Sequence, residues 1–222
     1  MRIRIGLGAA ALMMAGMALA QDPAPPSLPL PPAAAGWTLS FSWSPEFCKR
    51  NLGSKELQCL QEHYFVLSGL APRFEGHEPA CQEEGLPREL LPRALDVMHN
   101  EVRLKKTWRT QGACTGLGAG EYVLQLERAQ RRLSMPELFR QTPREGLQLS
   151  QDEFRQALAR DNPGLQADAV ALQCRGGWLE SIDVCVDHGF GFQACPAGQR
   201  NDCPDPLKLR PIRPVLRSDR GD

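Results

Sequence analysis

Between Trp37 and Trp43 apolar and polar side chains alternate strictly, with Trp37, Leu39, Phe41 and Trp43 on one face and Thr38, Ser40 and Ser42 on the other. Successive strand residues point to opposite faces, so a period of two predicts a half-buried strand. Ser44-Pro45-Glu46-Phe47-Cys48 then turns the chain, and a second strand is expected over 63–68, ended by Gly69-Leu70-Ala71-Pro72. Residues 73–87 read as loop. From there the spacing changes: Leu90, Leu91, Ala94, Leu95 and Met98 recur at helical intervals, which predicts a helix laid on the sheet. Residues 102–111 read as a second helix stopped by Gly112, and 121–131 as a third, with Tyr122, Leu124 and Leu126 available for burial.

Two capping boxes follow, Ser134-x-x-Glu137 and Ser150-x-x-Glu153, each offering an oxygen to the first helical amides and a carboxylate back to the cap. Two short helices are therefore expected to begin at these serines. Apolar runs at 170–175 and 178–187 flank Gly176-Gly177 and predict a hairpin. Strands first, helices between and a closing hairpin give an α+β domain with a central antiparallel sheet and helices packed on it.

The ends of the chain differ from this patterned middle. Residues 1–20 place Arg2 and Arg4 before an apolar run and close on Ala18-Leu19-Ala20, the layout of a secretory signal peptide. The run is too short and too rich in glycine for a membrane span, which needs about 20 strongly apolar residues. Export to a periplasm or to the medium is expected, with no membrane contact after cleavage. Residues 21–35 form a proline-rich linker, extended because proline donates no backbone hydrogen bond. One domain then runs over 36–203. Residues 204–222, with four prolines and mixed charge, read as a flexible tail.

Charge and cysteine content narrow the chemistry. Without Arg2 and Arg4 the mature chain carries a formal charge of −2, which is not the strongly basic footprint of avid nucleic-acid binding. Eight cysteines, at 48, 59, 81, 114, 174, 185, 195 and 203, all lie in the exported part. An even count in an oxidising compartment argues for four disulfides, although spacing alone leaves about a hundred pairings open. No Cys-x-x-Cys pair occurs, so no metal site is expected, and no motif asks for a cofactor. None of these features sets an oligomeric state.

Four stretches together carry a resemblance. They are the opening strand with Trp43-Ser44-Pro45-Glu46-Phe47-Cys48, then Phe65-Val66-Leu67-Ser68-Gly69-Leu70-Ala71-Pro72, then Trp108-Arg109-Thr110-Gln111-Gly112-Ala113-Cys114, and last the Cys174, Cys185, Cys195, Cys203 series. Their order and separation over 37–203 resemble the ribonuclease T2 family, particularly its bacterial periplasmic members. The family's first active-site motif reads Phe-x-x-His-Gly-Leu-Trp-Pro and its second His-Glu-Trp-x-Lys-His-Gly-Thr-Cys. The resemblance implies a ribonuclease T2-like fold and the pairs Cys48–Cys59, Cys81–Cys114, Cys174–Cys203 and Cys185–Cys195.

It also implies where cleavage chemistry would sit. The family transfers the ribose 2′-hydroxyl onto phosphorus, giving a 2′,3′-cyclic phosphate, and histidine suits both proton transfers because its pKa lies near about 6.5. Here Ser68 stands at the first-motif histidine. Lys106, Thr107, Thr110 and Gln111 stand at the second motif's histidine, glutamate, lysine and histidine. Ala71 replaces the base-stacking tryptophan, while Trp108, Gly112 and Cys114 persist. Serine, threonine and glutamine move no protons near neutrality, and general acid–base catalysis alone is worth about 10²–10⁴-fold.

The expected function is therefore that of an exported ribonuclease T2-fold protein without cleavage chemistry, binding RNA or a protein partner. Ala71, Lys105, Trp108 and Arg109 are the candidate contacts. The alternative is a divergent endonuclease, of weak activity or with an acid–base pair relocated among His63, His77, His99 and His188.

Overall fold

The computed structural model describes residues 34–74, 80–141 and 143–212. The residues read as a signal peptide, most of those read as a proline-rich linker, His77 and the chain beyond Ile212 lie outside them. The alternating stretch forms strand β1 (Ala34–Trp43), which starts two residues inside the segment read as linker. Helices α1 (Ser44–Arg50) and α2 (Leu57–Leu60) follow and are closed into one loop by Cys48–Cys59. Strand β2 (Phe65–Phe74) pairs antiparallel with β1 and runs well past Gly69, where the sequence predicted its end. Leu70 is fully buried on it and Ala71 pairs with Thr38, so continued packing and pairing override the turn signal of Gly69 and Pro72.

The helical middle holds α3 (Leu91–Met98), α4 (Glu101–Thr110) and α5 (Ala119–Arg132). Between α4 and α5, Gly112–Cys114 makes one tight turn. A Cβ on Gly112 would lie 2.6 Å from the Trp108 ring and 2.8 Å from the Tyr122 ring, so only glycine lets these aromatics meet there. Cys81–Cys114 fastens this turn to the preceding loop.

Of the two capping boxes, one is realised. Ser150 accepts from the Glu153 amide, and the Glu153 carboxylate accepts from the Ser150 amide, opening α7 (Gln151–Asp161). The other is not: α6 (Glu137–Arg140) starts three residues after Ser134, with Pro136 at its cap. Ser134 instead exchanges backbone hydrogen bonds with the side chain of buried Asn162, which commits its peptide groups elsewhere.

The closing hairpin forms as expected from β4 (Val170–Arg175) and β5 (Trp178–Asp187), with Gly176 and Gly177 at φ 58° and 81°, the double positive φ of its two-residue turn. Strand β5 pairs antiparallel with β1, so β1 is central between β2 and β5. The C-terminal reading needs correction. Beyond Cys203 the chain forms β6 (Leu207–Leu209), which pairs antiparallel with β3 (Leu147–Leu149) and meets β5 in parallel at Trp178 and Lys208. Leu207 and Leu209 are fully buried, and that burial holds the segment in place against its prolines and charges. The sheet is thus antiparallel at its centre and mixed at this edge.

Trp37, Leu39, Phe41 and Trp43 all enter the core, as their alternation predicted. Helix α3 adds Ala94, Val97 and Met98, and α4 adds Leu104 and Trp108. The remaining disulfides are Cys174–Cys203 and Cys185–Cys195, so all four pairs implied by the resemblance are present.

Candidate functional site

The β1–β2 register shifts between Ser40, opposite Gly69, and Phe41, opposite Leu67. Ser68 is the residue left over, the extra residue of a bulge, a device that re-aims a side chain out of the pleat. Its Oγ donates to the Ser40 carbonyl at 3.2 Å. On the same polar sheet face lie Ser42, Gln173, Ser181 and Asp183, and together with Ser68 they form the floor of a cleft of about 340 Å³. Its walls carry Arg50, Arg103, Arg175 and Arg200.

Glu180 and Asp202 hold part of this positive charge, Asp202 accepting from Arg200 Nε at 2.5 Å. Glu180 lies 3.3 Å from Arg175, 3.8 Å from Arg50 and 3.9 Å from Arg200, bridging three of the four guanidinium groups. Asp183 is buried and accepts from Ser40 Oγ at 2.6 Å, from Gln173 Nε2 at 2.5 Å and from Gln199 Nε2. Burial raises its carboxyl above the ordinary aspartate range, against the lowering effect of those three hydrogen bonds. Arg103, on α4, makes no ion pair among the described residues.

Helix α4 places the second-motif positions. Thr107 faces inward and donates from Oγ1 to the Ser68 carbonyl at 3.3 Å, joining the two motifs directly. Gln111 reaches toward Gly69, where its Oε1 lies 3.3 Å from the position a Cβ would occupy, and that oxygen is buried without a hydrogen-bond partner among the described residues. Lys106 lies one turn beyond Arg103 and lines an adjoining hollow rather than the Ser68 cleft. Thr110 is exposed and bonds back to the Lys106 carbonyl at 3.0 Å, a local bond within the helix.

The candidate contact residues separate in the same way. Trp108 is 1% exposed, donates to the Glu84 carbonyl at 2.8 Å and packs on Tyr122, so it offers no surface to a ligand. Lys105 is paired with Glu101 on the exposed flank of α4, where Arg109 is also exposed. Ala71 is half-buried on β2. Sequence reasoning missed Arg50, Arg103, Arg175 and Arg200, because four arginines scattered over 150 residues show no local pattern. The polar alternation of Ser40 and Ser42 against Ser181 and Asp183 was the one signal pointing to this face.

Among the described residues no histidine lines the cleft. His63 and His99 instead meet each other in a separate hollow, with His63 Nε2 3.1 Å from His99 Nδ1. His99 Nε2 lies 2.9 Å from the Asp96 carbonyl, which only accepts. In the neutral pair the His99 proton is therefore on Nε2, and His63 Nε2 donates to His99 Nδ1. His188 is exposed in the turn after β5.

No protein-family model and no characterised protein sequence matches the chain. Solved structures do. An RNase-related protein from Calystegia sepium superposes with a TM-score of 0.65 at 18% identity, over 82% of this chain and 99% of that one. Trichomaglin, described as an S-like ribonuclease, gives 0.63 at 17% identity over 80% and 98%. Ribonuclease MC1 from bitter gourd seeds gives 0.58 at 15% identity over 78% and 98%. Likeness at this identity establishes shape: the chain has the T2 ribonuclease fold, an α+β domain tied by four disulfides. Fold does not carry activity with it, which has to be argued from the cleft.

Proposed function

We infer that this is an exported protein of the T2 ribonuclease fold that binds RNA phosphodiesters in the Ser68 cleft without cleaving them. The observation that carries the reading is the composition of the cleft, in which four arginines surround Ser68 and, among the described residues, no imidazole is present. Guanidinium groups match phosphate oxygens in geometry and charge, so the cleft has the means to hold a backbone. Among the described residues it holds no histidine pair to take and return a proton near neutrality, because arginine stays charged and serine is not an acid or base there. Asp183 is the one buried carboxyl in it, and three donors already occupy its oxygens. Export is supported by the sequence of residues 1–20 and by eight cysteines joined in four pairs, the usage of an oxidising compartment.

The test incubates the oxidised chain, lacking residues 1–20, with single-stranded RNA over a range of pH. The expected outcome is salt-sensitive binding, weakened by Arg103→Ala, with no 2′,3′-cyclic phosphate ends. Cleavage abolished by His63→Ala or His99→Ala would instead establish the alternative, a divergent endonuclease with a relocated acid–base pair. Absence of RNA affinity would remove the binding role.

A further inference from the structure

We propose that the hollow between the Cys48–Cys59 loop and the first turn of α4 is a docking site for an acidic peptide segment with leucine-like anchors. It measures about 570 Å³ and is lined by Phe47, Leu52, Asn100, Val102, Arg103 and Lys106. Leu52 is 79% exposed and Val102 72%. Leu57 and Leu60, one turn apart on α2 within the same stretch of chain, are exposed as well. Among the described residues the one other large apolar side chain so exposed is Leu138. Exposed apolar residues scattered singly are ordinary, whereas several gathered at one corner mark an interaction surface.

This corner is fixed before any partner arrives. The disulfide closes the loop, the Glu56 carboxylate accepts from the Glu101 amide at 2.8 Å, and the Gln58 amide donates to the His99 carbonyl at 3.0 Å. Asn100 caps α4 by accepting from the Arg103 amide at 2.7 Å. A surface held in this way loses little further conformational freedom on binding.

Charge selects the occupant. Arg103 and Lys106 have no ion pair among the described residues, whereas their neighbour Lys105 is neutralised by Glu101. Glu56, the acid lining the hollow, is already bonded to the Glu101 amide. A ligand that matches the corner therefore places carboxylates on Arg103 and Lys106 and aliphatic side chains between Leu52 and Val102. An amphipathic acidic segment does both. RNA fits less well, because the most exposed anchors here, Leu52 and Val102, are aliphatic and give a base no planar face, while Phe47 is only partly exposed. The site goes beyond the RNA reading and shares Phe47, Asn51 and Arg103 with the Ser68 cleft, whereas Leu52, Val102 and Lys106 belong to it alone.

The test is fluorescence anisotropy of the whole oxidised chain with a labelled peptide repeating Glu-Leu-Leu-Glu. Two control peptides carry serine for leucine and lysine for glutamate. The leucine–glutamate peptide is expected to bind selectively. Leu52→Ser with Val102→Ser is expected to weaken it about tenfold, and Lys106→Glu by a similar factor, with the circular dichroism of both variants unchanged. The Leu52/Val102 variant should keep the RNA affinity of the parent, whereas Glu180→Gln should change RNA binding and leave the peptide untouched, so failure of one reading is distinguishable from failure of the other. Equal binding of the serine control, no binding of the leucine–glutamate peptide, or no loss in the Leu52/Val102 variant overturns the proposal. So does RNA affinity that falls with that variant, or self-association that the variant abolishes, since these assign the surface to RNA or to a second copy.

Discussion

Thr107 donates its hydroxyl to the backbone carbonyl of Ser68 at 3.3 Å, across 39 residues of sequence. The contact joins the two segments whose sequences resemble the T2 family's active-site motifs. Both side chains are buried, and the floor of the cleft meets α4 through this bond. These two segments face each other, joined by neutral groups.

Thr107 is 4% exposed, so its replacement tests that junction directly. Thr107→Val loses one buried hydrogen bond and is expected to cost about 1 kcal/mol, read from the shift of a urea denaturation midpoint. Thr107→Glu inserts a longer, charged side chain at a packed, 4% exposed position and is expected to cost about 2 kcal/mol or more. A midpoint unchanged by Thr107→Glu would mean that the junction opens to water and is not the packed contact described.

Glu180 lies within 3.9 Å of Arg50, Arg175 and Arg200, so it competes with any phosphate for the same donors. Glu180→Gln keeps the shape and removes the charge. RNA affinity is expected to rise about threefold at low ionic strength, the gain shrinking as salt is added. Anisotropy titrations at two salt concentrations measure it, and an unchanged affinity would place RNA elsewhere on the molecule.

The central sheet was legible because its signals are local and repeat. The alternation from Trp37 to Trp43 and the Gly176-Gly177 turn each state a period or a dihedral requirement within a few residues. The extension of β2 past Gly69 was not legible, because it depends on a partner strand that the local sequence does not mention. The same holds for the arginine cleft, whose residues meet only after β1, β4, β5, α1 and α4 are assembled.

Burial and the neighbouring His99 both lower the pKa of His63 below the ordinary histidine value of 6.5. The unfolded chain thus binds this proton more readily than the folded one. Its contribution to stability is complete above about pH 6.5 and is lost as pH falls through the folded value. His63→Gln keeps a donor for His99 Nδ1 and removes the titration. Stability at neutral pH is expected to change little, while its decline below about pH 6.5 becomes shallower. Denaturation midpoints at a series of pH values for both proteins check this, and parallel slopes would exclude His63 as the source.

The segment after Cys203 holds the sheet edge rather than hanging from it, and this gives the strongest stability prediction. Leu207 and Leu209 are fully buried, and burying each is worth about 1.5–3 kcal/mol. Just beyond them the Arg210 carbonyl accepts from the Trp43 indole at 3.1 Å. The Arg210 guanidinium lies over the Trp178 ring at 4.1 Å and donates to Glu46, a carboxylate only 3% exposed. Arg210→Ala leaves that carboxylate without its cation. The cost is expected to be about 2 kcal/mol, below that of a fully buried pair because Arg210 itself is partly exposed. Adding Glu46→Gln should recover part of the loss, which a double-mutant cycle in urea resolves as a coupling between the two sites. Ending the chain at Cys203 removes all of these contacts together and is expected to leave a domain that does not refold cooperatively. A truncated chain with the parent's midpoint would show that β6 contributes nothing to the fold.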